Sequence, residues 1–302
     1  MKMYDLIVAG AGPAGITASV YAARKRMSLL VITRDIGGQA ALSGEIENYT
    51  GYQFISGPEL VAKFEQHLKK YGIELKENEE VKEVEKKDNS ILIKTGKGNY
   101  EAKTAVIASG KRSRELGVAG EAEFKNRGLT YCATCDGPLF AGKDVAVIGG
   151  GNSALDAALQ LINIAGHIYI VNITSTLGGD SIMREKVSAS EKVSVLNDTR
   201  TTAIRGDKMV SAIEVKTKDA EKTLAVQGVF VEIGLTPNSE FAKELEKNEW
   251  GEIKVNCRNE TSIPGIFAAG DVTDVPEKQI IVAAGEGAKA ALGAFRYLSR
   301  NK

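Results

Sequence analysis

Two of the chain's three cysteines stand two residues apart in Tyr131-Cys132-Ala133-Thr134-Cys135-Asp136-Gly137-Pro138. Thiols at that spacing close a short-loop disulfide; in exchange chemistry one attacks while the other resolves the mixed disulfide. Asp136 adjoins the second thiol and is placed to move the protons that dithiol chemistry sheds and recovers. Zinc is a poor alternative, because a structural site wants four close-spaced Cys/His ligands. Only Cys257, His67 and His167 remain, all isolated. A structural staple is also weakly motivated in a chain of 302 residues and 43% hydrophobic content. The stretch reads as a redox-active dithiol with Cys132, Cys135 and Asp136 as its catalytic groups.

Such a pair needs electrons, and the sequence around it carries folds that hold electron carriers. Tyr4 to Ala9 is a nearly continuous apolar run, the pattern of a parallel strand buried on both faces. It leads into Gly10-Ala11-Gly12-Pro13-Ala14-Gly15 and a helical stretch Ile16 to Lys25. Strand, G-x-G-x-x-G, helix is the dinucleotide fingerprint in its required context. Gly10 permits the tight turn, Gly12 admits a pyrophosphate to the backbone, and Gly15 lets the helix pack on the strand, with the helix N-terminus supplying N–H donors. The second strand ends in Thr33-Arg34-Asp35, where Asp35 is a slightly late candidate for a ribose. The stretch Gly37-Gly38-Gln39 to Tyr49 has no helical period and reads as a loop. Gly57 to Tyr71 places Leu60, Phe64 and Leu68 on one helix face. Residues 81–87, 90–95 and 99–101 read as a small β meander, and 104–110 as another buried strand.

At Lys143 the pattern begins again. Asp144 to Ile148 is a strand, followed by Gly149-Gly150-Gly151-Asn152-Ser153-Ala154 and a helix to about Ile164. Two fingerprints imply an α/β chain with two dinucleotide-binding folds. The strand His167 to Val171 should end on the residue that reads the adenosine ribose, an acid for NAD or arginines for NADP. It ends in Asn172-Ile173-Thr174, and Arg184 comes only later. Further strands are expected at 193–197, 201–205, 210–216 and 224–233. Cys257 reads as structural, since a free cysteine is usually a small buried hydrophobe. Gly265 to Asp271 is a late buried strand ending in an acid, where a ribitol hydroxyl could be held or a helix capped. A helix with Gly- and Ala-rich start closes the chain, suited to close passage over a cofactor.

Composition narrows the partners. Lys+Arg and Asp+Glu balance at 39 each, so no global field attracts nucleic acid or anionic lipid. No segment reaches the length of a membrane span. The apolar run Leu6 to Ala23 imitates a signal peptide, but its glycines carry the fingerprint instead. Few cysteines and no export signal point to the cytosol, where an exposed C-x-x-C cycles.

Together these motifs resemble the low-molecular-weight thioredoxin reductases and the similar reductase portion of bacterial alkyl hydroperoxide reductase flavoproteins. The resemblance rests on Gly10 to Gly15, Gly37-Gly38-Gln39, Glu47-Asn48-Tyr49, Cys132 to Asp136, Gly149 to Ala154, Gly265 to Asp274 and Gln279-Ile280, and it covers essentially the whole length. It implies two three-layer Rossmann-like domains, the second inserted in the first: an FAD domain at about 1–112 and 240–302, and an inserted domain at about 113–239 carrying the dithiol. Gly10, Gly12 and Gly15 would take the FAD pyrophosphate, Gln39 and Asn48 would line the flavin, Asp271 would hold the ribitol, and Gln279 with Ile280 would sit by the isoalloxazine. Cys135 would face the flavin and Cys132 would attack a thioredoxin or thioredoxin-like protein, with Asp136 as acid/base. Members are typically homodimers. NADPH-dependent members carry His-Arg-Arg where this chain has Asn172-Ile173-Thr174, and NADH-using relatives carry an acid there. The chain therefore looks most like the subgroup that takes electrons from reduced ferredoxin, with NADPH doubtful. A ferredoxin–NADP reductase of similar build lacks the dithiol; a non-catalytic nucleotide-binding redox sensor is the rival that both fingerprints allow, and thioredoxin-dependent turnover excludes it.

Overall fold

The computed structural model describes residues 2–42, 45–46 and 48–300, with Leu42, Glu45 and Cys135 described by their backbone alone. The chain divides into two compact units, Met1–Arg112 with Thr236–Lys302, and Ser113–Leu235. Both are α/β units built on a twisted sheet with a glycine-rich turn at the end of a central strand.

In the first unit strand Met3–Ala11 lies between the parallel strands Leu29–Ile36 and Asn99–Ile107, with Val8 opposite Val31 and Val106. Its alternate residues feed two cores. Ile7 and Ala9 join Ile91, Ile93 and Ile253 on one face, and Leu6 and Val8 join Ile16, Ala290 and Ala294 on the other. A strand covered on both faces must be apolar throughout, which is the run the sequence carries. The expected meander strand 99–101 and buried strand 104–110 are one element. Asn99–Ile107 pairs first with the antiparallel strand Ile91–Thr95 and then, further along, with the parallel strand Ile266–Ala268. Its change of neighbour is what the sequence shows as a change of pattern.

Helix Pro13–Arg24 follows the first glycine turn, and the terminal helix Ile280–Arg300 crosses it. A Cβ on Gly287 would lie 2.0 Å from the Ala14 carbonyl oxygen, so the small residues of the last helix serve a helix–helix contact. The stretch read as a loop after Gly37 holds a short 3-10 turn, Gly38–Leu42, and a two-residue strand Glu45–Ile46 paired with Ile55–Ser56. Burial of Ile46 with Ile55 and Leu60 orders it. Glu47 lies outside the described residues.

In the second unit the parallel sheet runs Leu129–Thr130, Gly228–Val231, Val145–Ile148, Ile168–Val171, Val193–Leu196. Helix Asn152–Leu161 covers one face through Leu155, Ala158 and Leu161 against Val145, Val147 and Phe230. A three-stranded antiparallel sheet, Arg200–Gly206, Val210–Lys216 and Glu221–Ala225, covers the other through Ile204, Ile213 and Val215. The single strand expected at 224–233 is therefore two, Glu221–Ala225 and Gly228–Val231, in different sheets. Helix Ser181–Ser188 was not expected; Asp180 caps it, its carboxylate accepting from the Ile182 and Met183 amides.

Candidate redox and cofactor sites

The cysteine stretch leaves the carboxyl end of strand Leu129–Thr130, the end of a parallel sheet at which ligands and reacting groups gather. Cys132 is held in a disulfide. The backbone of Ala133–Asp136 forms one helical turn, with the Asp136 amide donating to the Cys132 carbonyl at 3.2 Å. The side chain of Cys135 lies outside the described residues. The hydroxyl of buried Thr130 donates to Asp136 Oδ2 at 2.5 Å and accepts from the Cys132 amide at 3.1 Å.

Two anchors hold this turn from either side. Tyr131 donates from its phenol to Glu121 Oε1 at 2.8 Å, and the same buried carboxylate accepts from the Leu116 and Gly117 amides. Burial pushes the Tyr131 phenol well above its usual range, and the Glu121 carboxylate adds to the rise. On the other side Thr134 donates to Gln160 Oε1 at 2.8 Å, and Gln160 Nε2 donates to Asp156 Oδ2 at 2.7 Å. Burial raises the Asp156 carboxyl against that hydrogen bond. Burial, with Asp156 nearby, pushes Glu232 up to about 8.

Glu232 also closes the second glycine turn. Gly149 has φ +140°, and a Cβ there would fall 2.1 Å from the Glu232 carbonyl oxygen, so only glycine fits. Gly151 has open space around it. Asn172, at the position expected to read a ribose, is only 2% exposed. Its Oδ1 accepts from the Thr174 amide and hydroxyl, and its Nδ2 donates to the Thr174 carbonyl and to Asn197 Oδ1 at 2.8 Å. The loop behind it docks on the turn, Gly178 donating to the Gly150 carbonyl and the Asp180 amide to Asn152 Oδ1, each at 2.8 Å. Arg184 donates to the Leu177 carbonyl at 3.4 Å.

In the first unit Gly10 has φ +108°, and a Cβ there would lie 2.3 Å from the Ala108 carbonyl oxygen. A Cβ on Gly15 would strike the Gly10 carbonyl oxygen at 1.9 Å, which is the helix–strand approach expected of the third glycine. Asn48 Nδ2 donates to Gln279 Oε1 at 3.0 Å, bringing together two residues 231 apart in sequence. Gln39 donates to the Lys111 carbonyl at 3.4 Å, and Ile280 packs against Ile46, Ile55 and Leu60. Asp271 is partly buried; burial raises its carboxyl while Lys278 and Lys111 pull it back. Those two lysines converge on Glu252 Oε1 at 2.8 and 3.0 Å, and Asn248 donates to Glu252 Oε2 at 2.6 Å. Burial alone would raise Glu252, but these hydrogen bonds outweigh it and hold the carboxyl at about 2. Glu286, 5% exposed on the terminal helix, accepts from the Gly270 amide at 2.8 Å and so ties down the turn before Asp271.

The sequence profile of the pyridine nucleotide-disulphide oxidoreductases matches residues 4–287. The chain belongs to that family. It is 42% identical over 301 residues to a protein of Bacillus subtilis (strain 168) named NADH dehydrogenase, covering 99% of this chain and 59% of the relative. It is 42% identical over 306 residues to an alkyl hydroperoxide reductase protein of Pseudomonas aeruginosa, covering 98% of this chain and 58% of the relative. The chain thus spans under two thirds of the length of these curated relatives. The crystal structure of Lactococcus lactis thioredoxin reductase superposes with a TM-score of 0.91 at 36% identity, covering 98% of this chain and 99% of that one.

Membership of this oxidoreductase family implies a flavin, and the first glycine turn fits a dinucleotide form of it. A Cβ on Gly12 would meet nothing nearer than the Gly37 carbonyl oxygen at 3.9 Å. Protein packing therefore leaves that position open, and backbone alone walls it. Helix Pro13–Arg24 has no side-chain cap at its start, so no cap side chain takes up its first-turn amides. Asp35 is exposed on its strand. Cys257 is free and exposed rather than buried, because Asn256–Glu260 closes as a tight surface turn. Among the described residues no helix is long and apolar enough to cross a membrane.

Sequence reasoning missed Thr130, Gln160, Glu232, Glu252 and Glu286. Glu286 carried a signal, a carboxylate alone in the small-residue run Ala283 to Ala291 apart from Lys289. Thr130 and Gln160 carried none, since an isolated hydroxyl or amide has no period or spacing to mark it.

Proposed function

We propose that the chain is an FAD-dependent disulfide reductase that passes electrons to a thioredoxin or thioredoxin-like protein through a Cys132–Cys135 dithiol. The observation that carries this reading is the disulfide-bonded Cys132 at the carboxyl end of a parallel sheet, with Asp136 held beside it by Thr130. Bound FAD would supply a two-electron store. Gly10, Gly12 and Gly15 would seat its pyrophosphate, Asp271 its ribitol, and Gln39, Asn48, Gln279 and Ile280 would line its ring. Cys132 would attack the partner disulfide and Cys135 would resolve the mixed disulfide, with Asp136 exchanging protons. We place the protein in the cytosol as a homodimer.

For the electron donor we propose reduced ferredoxin in place of NADPH. A 2′-phosphate is normally met by arginines, and each lost charge-assisted contact removes about 1.5–3 kcal/mol. Here Asn172 is buried and spends its amide on Thr174 and Asn197, and Ile173 is exposed beside it. A second reading, NADH as donor, is favoured by the name of the Bacillus subtilis relative, NADH dehydrogenase, and by the open space at Gly151.

Anaerobic bleaching of the flavin, with ferredoxin, NADH and NADPH offered separately, tests both readings. Rapid bleaching by ferredoxin alone is expected, and rapid bleaching by NADPH would overturn the donor proposal. Cys132→Ser should keep donor-driven bleaching but lose thioredoxin reduction by about a thousandfold or more, as removal of a covalent nucleophile does. Full thioredoxin reduction in that variant would sink the dithiol assignment.

A further inference from the structure

We propose that Thr130 is a positioning residue for proton transfer at the dithiol: its hydroxyl locks Asp136 so that Oδ1 is the oxygen that exchanges the proton. This rests on the reading of Asp136 as acid/base given above.

A threonine hydroxyl has one proton and two lone pairs. The Cys132 amide is a donor only, so at 3.1 Å the Thr130 oxygen must accept from it. The single Thr130 proton is then left for Asp136 Oδ2, at 2.5 Å. An oxygen that accepts there is the one not carrying the acid proton, so the exchangeable proton belongs on Oδ1. Thr130 is itself 6% exposed and sits in the parallel sheet, its Cα paired with Phe230. The hydroxyl is thus fixed by backbone pairing rather than by a mobile loop. One buried group fixes both the start of the cysteine turn and the rotation of the carboxyl beside it.

The Cys132 thiolate attacks the partner disulfide; a Cys132–partner S–S bond forms, the partner bond breaks, and the departing partner sulfur takes the Oδ1 proton of Asp136. The Cys135 thiol then gives its proton to the Asp136 carboxylate and attacks the Cys132 sulfur. The enzyme disulfide forms, the mixed disulfide breaks, and the second partner sulfur leaves as thiolate and is protonated by solvent. Two electrons pass to the partner. Asp136 gives and regains one proton, through the same oxygen both times.

The test is single-turnover oxidation of dithionite-reduced holoprotein by oxidised thioredoxin, in wild type, Thr130→Val, Thr130→Ser, Asp136→Asn and the double variant Thr130→Val/Asp136→Asn. Valine keeps the shape and removes the hydroxyl, so Thr130→Val should be slower by about tenfold or more, as loss of a hydrogen bond to a charged group implies. Serine keeps the hydroxyl and should restore the rate to within about twofold. Acting through Asp136, Thr130→Val should add less than about twofold to Asp136→Asn. Wild-type speed in Thr130→Val, or an equal loss in the Asp136→Asn background, would overturn the proposal. So would poor recovery by serine, which would make Thr130 a packing residue. A normal rate in Asp136→Asn would defeat the acid/base reading itself, an outcome distinct from a slow Asp136→Asn beside a fast Thr130→Val. Should Thr130→Val fold poorly, serine and Thr130→Ala at reduced temperature carry the same comparison.

Discussion

Gly10 and Gly12 lie two residues apart in one turn yet answer to different constraints. Gly10 is at φ +108° with a backbone oxygen 2.3 Å from where its Cβ would be, so the protein itself demands glycine. Gly12 is at φ −76°, which any residue adopts, and its surroundings leave room for a Cβ. The constraint on Gly12 must come from something the fold alone does not contain. Gly10→Ala should therefore destabilise the apoprotein by about 2–4 kcal/mol, from left-handed strain plus overpacking. Gly12→Ala should leave apoprotein melting within about 1 kcal/mol of wild type but retain less FAD after gel filtration. Thermal melts of the stripped protein and flavin-to-protein ratios separate the two. Equal FAD retention in Gly12→Ala would remove the pyrophosphate from this turn. A similar division runs through the acids. Asp271, which the sequence pointed to, is accompanied by Glu252 and Glu286, which it did not, because their partners Lys111, Lys278 and Gly270 come from distant segments.

At the scale of elements, the loop after strand Ile168–Val171 separates what Asn172 does from what its neighbours present. Asn172 is spoken for by Thr174 and Asn197 and packs on Gly150, whereas Ile173 and Thr174 are exposed. Installing cations should therefore spare Asn172. Ile173→Arg with Thr174→Arg should lower the KM for NADPH by about tenfold or more, the worth of one charge-assisted contact to the 2′-phosphate. The KM for NADH should stay put. Steady-state flavin reduction by each nucleotide checks this, and an unchanged NADPH KM would mean the turn is closed to the nucleotide by its docked loop. The same loop marks where the sequence was legible. Both strand–turn–helix units could be read because burial on two faces forces an unbroken apolar run and close packing forces glycine at fixed spacing. Their neighbours were less legible. Asn99–Ile107 changes partner midway, and the stretch at 224–233 divides between two sheets, neither of which leaves a local mark. Cys257 was misread because residue type says nothing of a surface turn closed by Asn256 and Glu260. The cysteine spacing marks the stretch at 131–138, but Thr130 carries no mark, since its bonds to Asp136 and Cys132 exist only once a strand end and a helical turn face each other.

Across the whole molecule, the pH dependence of stability is set by the groups whose proton affinity folding changes, and many carboxyls of this chain are among them. Two stand out, one in each compact unit, and they act in opposite directions. Glu252 is held at about 2, below the ordinary 4.5. Its contribution is complete above about 4.5 and is lost as pH falls toward 2, where the folded unit must give up an ion pair with Lys111 and Lys278. Glu232 is pushed up to about 8 from the same ordinary value. Below about 4.5 both folded and unfolded chains hold its proton and it is neutral to stability. Between 4.5 and 8 the unfolded chain has released the proton while the folded unit keeps it, so stability falls steadily as pH rises. Above 8 the full penalty of a charged, desolvated carboxylate near Asp156 is present. Glu232→Gln keeps the shape and removes the charge. At pH 8.5 it should stabilise by about 1–2 kcal/mol, a melting rise of roughly 2–8 °C. At pH 4.5 it should change nothing. Circular-dichroism melts of wild type and variant at the two pH values check this. An equal rise at both pH values would show that glutamine merely packs better there, and that the carboxyl carries no charge for folding to oppose.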